Sequence, residues 1–429
     1  MIYSILLAIL LISLVLLLVW QLLRWLPAGA DKLKPLPYVI ALLPIAPFCA
    51  GFGLIASAVA AVAARSQNEF YKSYVFLCVV YALLFLISLK SYTPYFARHL
   101  RKQIQEHFPV FVSKNSKKGN KRKNTCPHLF PKTPKTETNV GTHARVCFQK
   151  QQKREQTQEK SPEKSLERSQ EKSLEIRVMT LNCRYGRANA SQIIKLAKTH
   201  KIDTILLQEV SEKLVKSLEK LGIERDFAHV QLGNTNNHEN GGFNAIYTRL
   251  SNIKESFGES IKIDAANVPI VTAVACDSSL AAGNSAGCDA AEACDSSAEN
   301  LLITFASAHP KSPMRGCDAW SSGIMALAKI GENHNKSNVK KVTIIGGDLN
   351  STPDHPSFRA LLKSGFLDAS MQIGKRLKTW PTWQKWPNLA LDHVLVKSTG
   401  CNAIATDQRA IRVDGSDHFA LIVCVSLPL

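Results

Sequence analysis

Six segments of the chain put residues that can bind a cation, move a proton or hold an anion at the boundary of a β-rich run. Asn182 follows the run Ile176–Leu181, and Gln208 and Glu209 follow Thr204–Leu207. His309 follows Leu301–Ser307, and Gly347-Asp348-Leu349-Asn350 follows Val342–Ile345. Asp392 opens a run at His393–Val396, and Ser416-Asp417-His418 opens Ala420–Val425. Carboxylates, amides and imidazoles at the edges of a sheet can converge on one cleft. Singly, each has a plain structural reading: Glu209 starts a helix, Asp348 and Asn350 make a turn, His309 is a loop residue before Pro310, and Asp417 is an N-cap or turn former. That reading does not account for all of them recurring at strand ends in one order.

The elements that must position these residues alternate short β-rich runs with helical stretches from Ile176 onward. Ala190–Thr199 carries Ala190, Ile193, Ile194 and Ala197 on one helical face, and Ser211 caps a helix reaching Leu221. Further strands are expected near Phe243–Tyr247 and Ile270–Ala275, and helices after Asp318 and after Asp354. Many strands with interspersed helices make a layered α/β domain. The low-complexity stretch Asp277–Asn300, around two copies of Ala-Cys-Asp-Ser-Ser, joins two expected strands and reads as a surface loop.

The ordered set, together with Gly242-Phe243-Asn244-Ala245-Ile246, resembles the endonuclease/exonuclease/phosphatase superfamily, the DNase I-like fold. Gly-Asp-x-Asn and Ser-Asp-His are its most specific pieces, and the matching segments span nearly all of Ile176–Val425. The resemblance implies a four-layer sandwich of class α/β (α+β), with two mainly antiparallel sheets face to face and helices outside. It also implies hydrolysis of a phosphodiester or phosphomonoester, nuclease-like or of the phospholipid and phosphoinositide type. An anionic ester repels hydroxide, so such a site must neutralise charge, position a water and stabilise the leaving oxygen. Mg²⁺ or Mn²⁺ held by hard oxygen ligands serves that purpose, and no His- and Cys-rich cluster of the kind Zn²⁺ prefers stands out.

On the matching positions, Glu209 is the leading metal ligand, with Asn182 beside it through its amide oxygen and Asp417 adding a carboxylate. His418 contacts the phosphoryl group or transfers a proton, and Asp392 holds its ring. Asp348 orients or deprotonates the attacking water, Asn350 donates to a phosphate oxygen, and His309 stabilises the pentavalent oxyanion. Asp348 and His418 are interchangeable as general base at this level. The chain departs from the family in two places. Asn182-Cys183-Arg184 lacks the second polar residue found in several nucleases, and no Asn pair follows Asn350. Trp380, Trp383 and Trp386 form either a substrate wall or a packed loop.

The chain before this domain has another character. Residues 1–92 contain three apolar runs, Ile2–Leu23, Pro37–Ala64 and Tyr74–Leu89, read as three transmembrane helices with a kink at Pro44 and Pro47. A cleaved signal peptide fits poorly, because no basic n-region precedes the long first run. Residues 93–174 read as a basic, largely disordered linker before a catalytic domain at 175–429. From Arg98 to Glu175 there are 19 Lys and Arg against 8 Glu, so most of the formal net charge of +19 lies there rather than on a nucleic-acid-reading surface. The linker is a solvated spacer or lies on anionic lipid. It ends in a period-four Glu-Lys/Arg repeat with almost no apolar face. The 11 cysteines show no CxxC pair, which argues against a disulfide framework or a structural zinc site.

The expected protein is therefore multi-pass in the cell membrane, beside the lipid bilayer, with a phosphoester substrate drawn from nucleic acid, phospholipid headgroups or soluble esters. No protein partner can be inferred. Flanking Lys and Arg, including Arg24, place the catalytic domain on the cytoplasmic side. The alternative from another class is a catalytically inactive membrane scaffold or receptor that retains the fold. It is disfavoured because every functional position holds a chemically competent residue.

Overall fold

The computed structural model describes residues 1–96, 173–234, 241–254, 260–264, 266–275, 301–331, 339–386 and 389–428. Residues 97–172 of the expected linker 93–174 and the 277–300 insert lie outside the described residues, while the linker's first four residues are helical and its last two, Ser173 and Leu174, begin a strand. The N-terminal helices and the C-terminal domain belong to one compact unit.

Two sheets face each other. The first has the order β12-β13-β1-β2-β4-β3, built from β1 (Ser173–Asn182), β2 (Thr204–Val210), β3 (His229–Leu232), β4 (Phe243–Thr248), β12 (Ile404–Arg412) and β13 (Phe419–Pro428). The second has the order β10-β11-β9-β8-β7-β5, with β6 paired to β7. Its strands are β5 (Ile253–Lys254), β6 (Ser260–Ile263), β7 (Ala266–Ala275), β8 (Leu301–Ser307), β9 (Lys340–Asp348), β10 (Leu367–Asp368) and β11 (Asp392–Thr399). Each sheet has one parallel pair at its centre, β1 with β2 and β8 with β9, and is otherwise antiparallel.

The period of two sorts the side chains into layers. In β2, Leu206 points between the sheets with Val178, Ile344 and Val423. Its neighbours Ile205 and Leu207 point the other way, against Ile193, Ala197 and Leu214 of helices α5 (Ala190–Thr199) and α6 (Glu212–Lys220). On the far side, Ile345 and Leu395 of the second sheet meet Trp320 and Phe358 from α7 (Cys317–Ala326) and α8 (Pro356–Lys363). Helix, sheet, sheet and helix are the four expected layers. The Asn189 and Ser211 side chains accept from Gln192 N and Leu214 N, which satisfies first-turn donors of α5 and α6.

The N-terminal region has three helical stretches long and apolar enough to cross a membrane, Ile2–Trp25, Leu36–Ala63 and Asn68–Ser91, with mean hydropathies of 3.1, 2.2 and 2.1. The first and third are led by α1 (Ile2–Leu22) and α4 (Asn68–Ser88). The second is not one smooth helix. It breaks into α2 (Leu36–Ala41), a 3₁₀ turn at Leu43–Ile45, and α3 (Ala46–Ala63), with Pro44 and Pro47 at the break. Proline removes a backbone donor and crowds the preceding turn, so the chain bends there.

Polar side chains join this bundle to the C-terminal domain, all at one end of the helices. Arg24 Nε pairs with Asp354 Oδ1 at 3.1 Å, while Ser91 Oγ accepts from Arg24 Nη2 and donates to Asp354 Oδ2. Asp31, fully buried, accepts from Ser321 Oγ and from both the backbone N–H and the hydroxyl of Ser357. His355 Nε2 lies 2.9 Å from Pro37 O, and Arg359 Nη2 donates to Leu26 O. A buried charge is tolerated only where such partners replace water.

Candidate active site

The sheets approach closely where the polar residues gather. A Cβ on Gly346 would lie 2.5 Å from Leu206 Cδ1 of the facing sheet, and one on Gly347 would lie 1.8 Å from Ala308 O at the end of the neighbouring strand. Only glycine fits against the backbone oxygen at Gly347, whereas at Gly346 a side chain would have to displace the end of Leu206. Gln208, buried between the layers, donates to Ser307 Oγ and accepts from Thr180 Oγ1, so it ties the sheets together below the site. Its place in the interior explains its polar type without any catalytic part.

Glu209 reaches the cleft through a local irregularity. The β2–β4 pairing shifts register between Leu207 and Val210, and Glu209 sits at φ 52°. A bulge of this kind re-aims a side chain, at a backbone cost of about 1–3 kcal/mol. Gly241 and Gly242 make room for it. A Cβ on Gly241 would meet the Glu209 carboxyl carbon at 2.6 Å, and one on Gly242, at φ 138°, would meet Val210 O at 2.3 Å. Asn350, after β9, is also left-handed at φ 48°, and its N–H donates to Asp348 Oδ1.

The strand ends then converge. Asn182 Nδ2 donates to Glu209 Oε1 at 3.1 Å and to Asp348 Oδ2 at 3.0 Å. Its amide oxygen accepts from Arg184 N, and Glu209 Oε2 accepts from Tyr185 N. His418 Nδ1 is 2.8 Å from Asp392 Oδ2, and its Nε2 is 3.6 Å from Asp348 Oδ2. His309 Nε2 stands 3.6 Å from Asp348 Oδ2 and 3.4 Å from Asn350 Nδ2. Asp417 sits at the rim, accepting from Trp380 Nε1 at 3.4 Å, with Arg184 Nε at 3.9 Å. All eight residues singled out in the sequence thus fall in or beside one cleft of about 590 Å³, in which Asp392 acts from behind His418.

Burial and neighbouring charge set the protonation states. Burial alone would depress the His418 pKa, but Asp392, then Asp348, outweigh it and raise the imidazole to about 10. His309 goes the other way: burial lowers it to about 4 against the pull of Asp348. Burial raises Asp348 against the opposing influence of His418. Burial also raises Glu209, although Asn182 and the Tyr185 N–H favour its charged form and Asp417 adds repulsion. Near neutral pH the site therefore pairs one imidazolium with one neutral imidazole.

Several contributors escaped the sequence reading. Ser416 Oγ donates to Asn182 O and accepts from His418 N, locking two strand ends. Thr379 Oγ1 accepts from the N–H groups of Leu391 and Asp392. Arg315 Nη2 donates to Tyr185 OH across the cleft. Trp380 lines the wall beside His418 at 6.4 Å between ring centroids, while Trp383 and Trp386 are exposed rather than packed inside. Ser416 lay within a recognised motif and could have been found there; Thr379 and Arg315 carry no such signal.

Residues 179–418 match the Endonuclease/Exonuclease/phosphatase family, and the chain belongs to it. Among solved structures, humanized D. rerio TDP2 with 14 mutations is similar at 17% identity and a TM-score of 0.41, over 58% of this chain and 98% of that one. An endonuclease/exonuclease/phosphatase family protein from Bacteroides thetaiotaomicron is similar at 14% identity and a TM-score of 0.40, over 60% and 97%. One from Bacteroides vulgatus reaches 15% and 0.41, over 59% and 99%. No curated protein matches by sequence.

Proposed function

We propose that this chain is a membrane-anchored, divalent-metal-dependent phosphoesterase. The observation that carries the reading is the convergence of Asn182, Glu209, His309, Asp348 and His418 on one cleft, in a chain of this family. The donor set suits Mg²⁺ or Mn²⁺. Glu209 and Asp417 are carboxylates close enough to raise the Glu209 pKa, and a cation between them would relieve both that repulsion and the cost of burial. Asn182 would complete the set, but its oxygen would have to turn from Arg184 N to face the ion.

One ligand atom each of Asp348, Asp392 and His418 also lies within 4.8 Å of the others. That trio is the poorer cation site, because each ring nitrogen of His418 already faces a carboxylate and the ring carries its own positive charge. A bound divalent ion would supply charge neutralisation at the phosphoryl oxygens.

The chain's own residues would do the rest. Asp348, buried and raised in pKa, takes the proton of the attacking water as the new P–O bond forms. Imidazolium His418, held by Asp392, donates to the phosphoryl oxygen as negative charge builds there. Asn350 Nδ2 donates a further hydrogen bond, and neutral His309, whose Nε2 lies 3.4 Å from that amide nitrogen, supports it from behind. The bond from phosphorus to the leaving oxygen breaks, and that oxygen takes a proton from solvent as Asp348 gives up the one it accepted, leaving an alcohol and a phosphate product. The three apolar helical stretches would anchor the enzyme, and their flanking charges favour a cytoplasmic catalytic domain. The test is the purified full-length protein with Mg²⁺ or Mn²⁺ and bis-p-nitrophenyl phosphate. Turnover lost on chelation and in Glu209→Ala or His418→Ala supports the reading. A folded protein that binds no metal and cleaves no ester is instead a scaffold.

A further inference from the structure

The cleft is not built by the C-terminal domain alone. Pro37, Tyr38 and Ala41, from the first turns of the second apolar stretch, line it together with Glu209, Asp348 and His418. The buried polar contacts of Asp31, Arg24 and His355 fix this arrangement, because they seat the bundle end on the N-terminal end of α8. The wall of a site for anionic esters is thus part of a segment with no charged residue between Lys34 and Arg65.

Aromatic rings lead out of the site to the same apolar surface. Trp380 lies beside His418, and Trp383 meets Trp380 edge-on at 5.9 Å. Three residues on, Trp386 meets Phe48 of α3 edge-on at 6.2 Å. Trp383, Trp386 and Phe48 are 61%, 58% and 61% exposed. Phe48 begins an outward stripe on α3 that continues through Phe52, Ile55, Val59 and Val62, the face such a helix turns to lipid. Tryptophan favours the boundary between headgroups and acyl chains. Met314, also on the cleft, is 78% exposed. A soluble ester has no use for an apolar lip, and a nucleic-acid strand, whose bases could stack on the tryptophans, has none for the stripe from Phe48 to Val62. For a strand, cationic tracking and stacking along a basic groove would be expected instead.

We infer that the substrate is a phosphate ester of a lipid alcohol, presented from the bilayer. Its headgroup enters the cleft between Tyr38 and Trp380, and its hydrocarbon stays on the Phe48–Trp386 surface. This rests on the phosphoesterase reading above and narrows it. Water adds to the lipid's phosphorus, a P–O ester bond breaks, and the departing oxygen is protonated. The products are the hydroxyl compound and the phosphate on the other fragment, with no further reactant. Phe48 and Trp386 are positioning residues for the lipid body and touch no reacting atom.

The test uses the full chain in nanodiscs with Mg²⁺ and three probes: the disc's own phospholipids (phosphatidylethanolamine, phosphatidylglycerol, phosphatidic acid and phosphatidylinositol), a single-stranded DNA oligonucleotide, and soluble bis-p-nitrophenyl phosphate. Phospholipid turnover is expected. In Phe48→Ala and Trp386→Ala, lipid turnover should fall about tenfold relative to turnover of the soluble ester in the same preparation, the discrimination an apolar contact typically provides. Hydrolysis of the soluble ester or DNA with intact lipids overturns the inference while leaving the phosphoesterase reading standing. Lipid turnover that falls no further than soluble turnover in both variants overturns the assigned route. No turnover of any probe by a folded protein removes the phosphoesterase reading itself.

Discussion

Replacing Asp392 by Asn tests whether the site depends on a charged imidazole. The Asp392 carboxylate meets His418 Nδ1 at 2.8 Å, and its other oxygen is buried without a hydrogen-bond partner, so His418 is its main compensation. An opposite charge at that range moves a pKa by roughly 1–3 units. Asn keeps the shape but removes the charge. The His418 pKa should therefore drop from about 10 by roughly two units or more towards neutrality, with Asp348 alone supporting it and burial opposing it. The high-pH limb of the rate with bis-p-nitrophenyl phosphate should shift down accordingly, and the maximal rate should fall by about 10²–10⁴. Stability follows with a defined sign. Because the folded-state pKa of His418 is raised from 6.5 to about 10, its contribution is fully present below pH 6.5 and is lost as pH rises through about 10. Wild type should exceed Asp392→Asn by roughly 3–5 kcal/mol near pH 6, as for a broken buried pair, and the gap should narrow towards pH 10. An imidazole titration in the variant that still centres near 10, read from His418 ring proton shifts, would refute the reasoning.

Other perturbations follow from the same geometry. Glu209→Ala should abolish metal-stimulated turnover and the rise in melting temperature with Mg²⁺, yet leave the metal-free melting point equal or higher, because it removes a carboxylate whose charged form burial disfavours. Gly242→Ala should cost more than about 2 kcal/mol and most of the activity, since its φ of 138° and the 2.3 Å approach to Val210 O leave no room for a methyl group; denaturation and ester turnover check this together. Asp354→Ala should strand Arg24 in a buried site at a cost of roughly 3–5 kcal/mol, whereas the double variant Arg24→Met/Asp354→Leu should recover much of it in detergent melting curves.

The parts of the fold readable in the sequence were those where burial imposes a period. β8 runs over Leu301–Ser307 and α5 over Ala190–Thr199, both as expected, because one face of each packs into a core layer. β12 (Ile404–Arg412) left no such trace. It is an edge strand with a mostly exposed pattern, carrying Asp407, Arg409 and Arg412 outward, as edges do to resist pairing with other chains. β3 and β10 are likewise edge strands, and short. The site was legible as a set of residue types at strand ends. Its backbone was not, because the left-handed turn at Glu209 depends on Gly241 and Gly242, more than thirty positions away in sequence.

The junction between bundle and domain was the least legible part, for a physical reason. A charge at the end of an apolar helix has the same sequence signature whether it faces water, a headgroup or a buried partner. Arg24 was counted as a flanking charge that orients the helices, but it is 5% exposed and its charge is matched by Asp354, 330 positions later. Asp31, in the same short loop, is fully buried by groups from α7 and α8. Of the other cations in that loop, Lys32 lies 3.7 Å from Asp318, which leaves Lys34 to orient the helices. The positive charge that favours a cytoplasmic side lies chiefly in the basic segment that follows the third helix. A buried charge network at this junction also costs desolvation that an open hinge would avoid. Its presence makes sense if the distance and angle between bundle and cleft must be fixed, as the proposed uptake of a lipid ester from a bilayer would require.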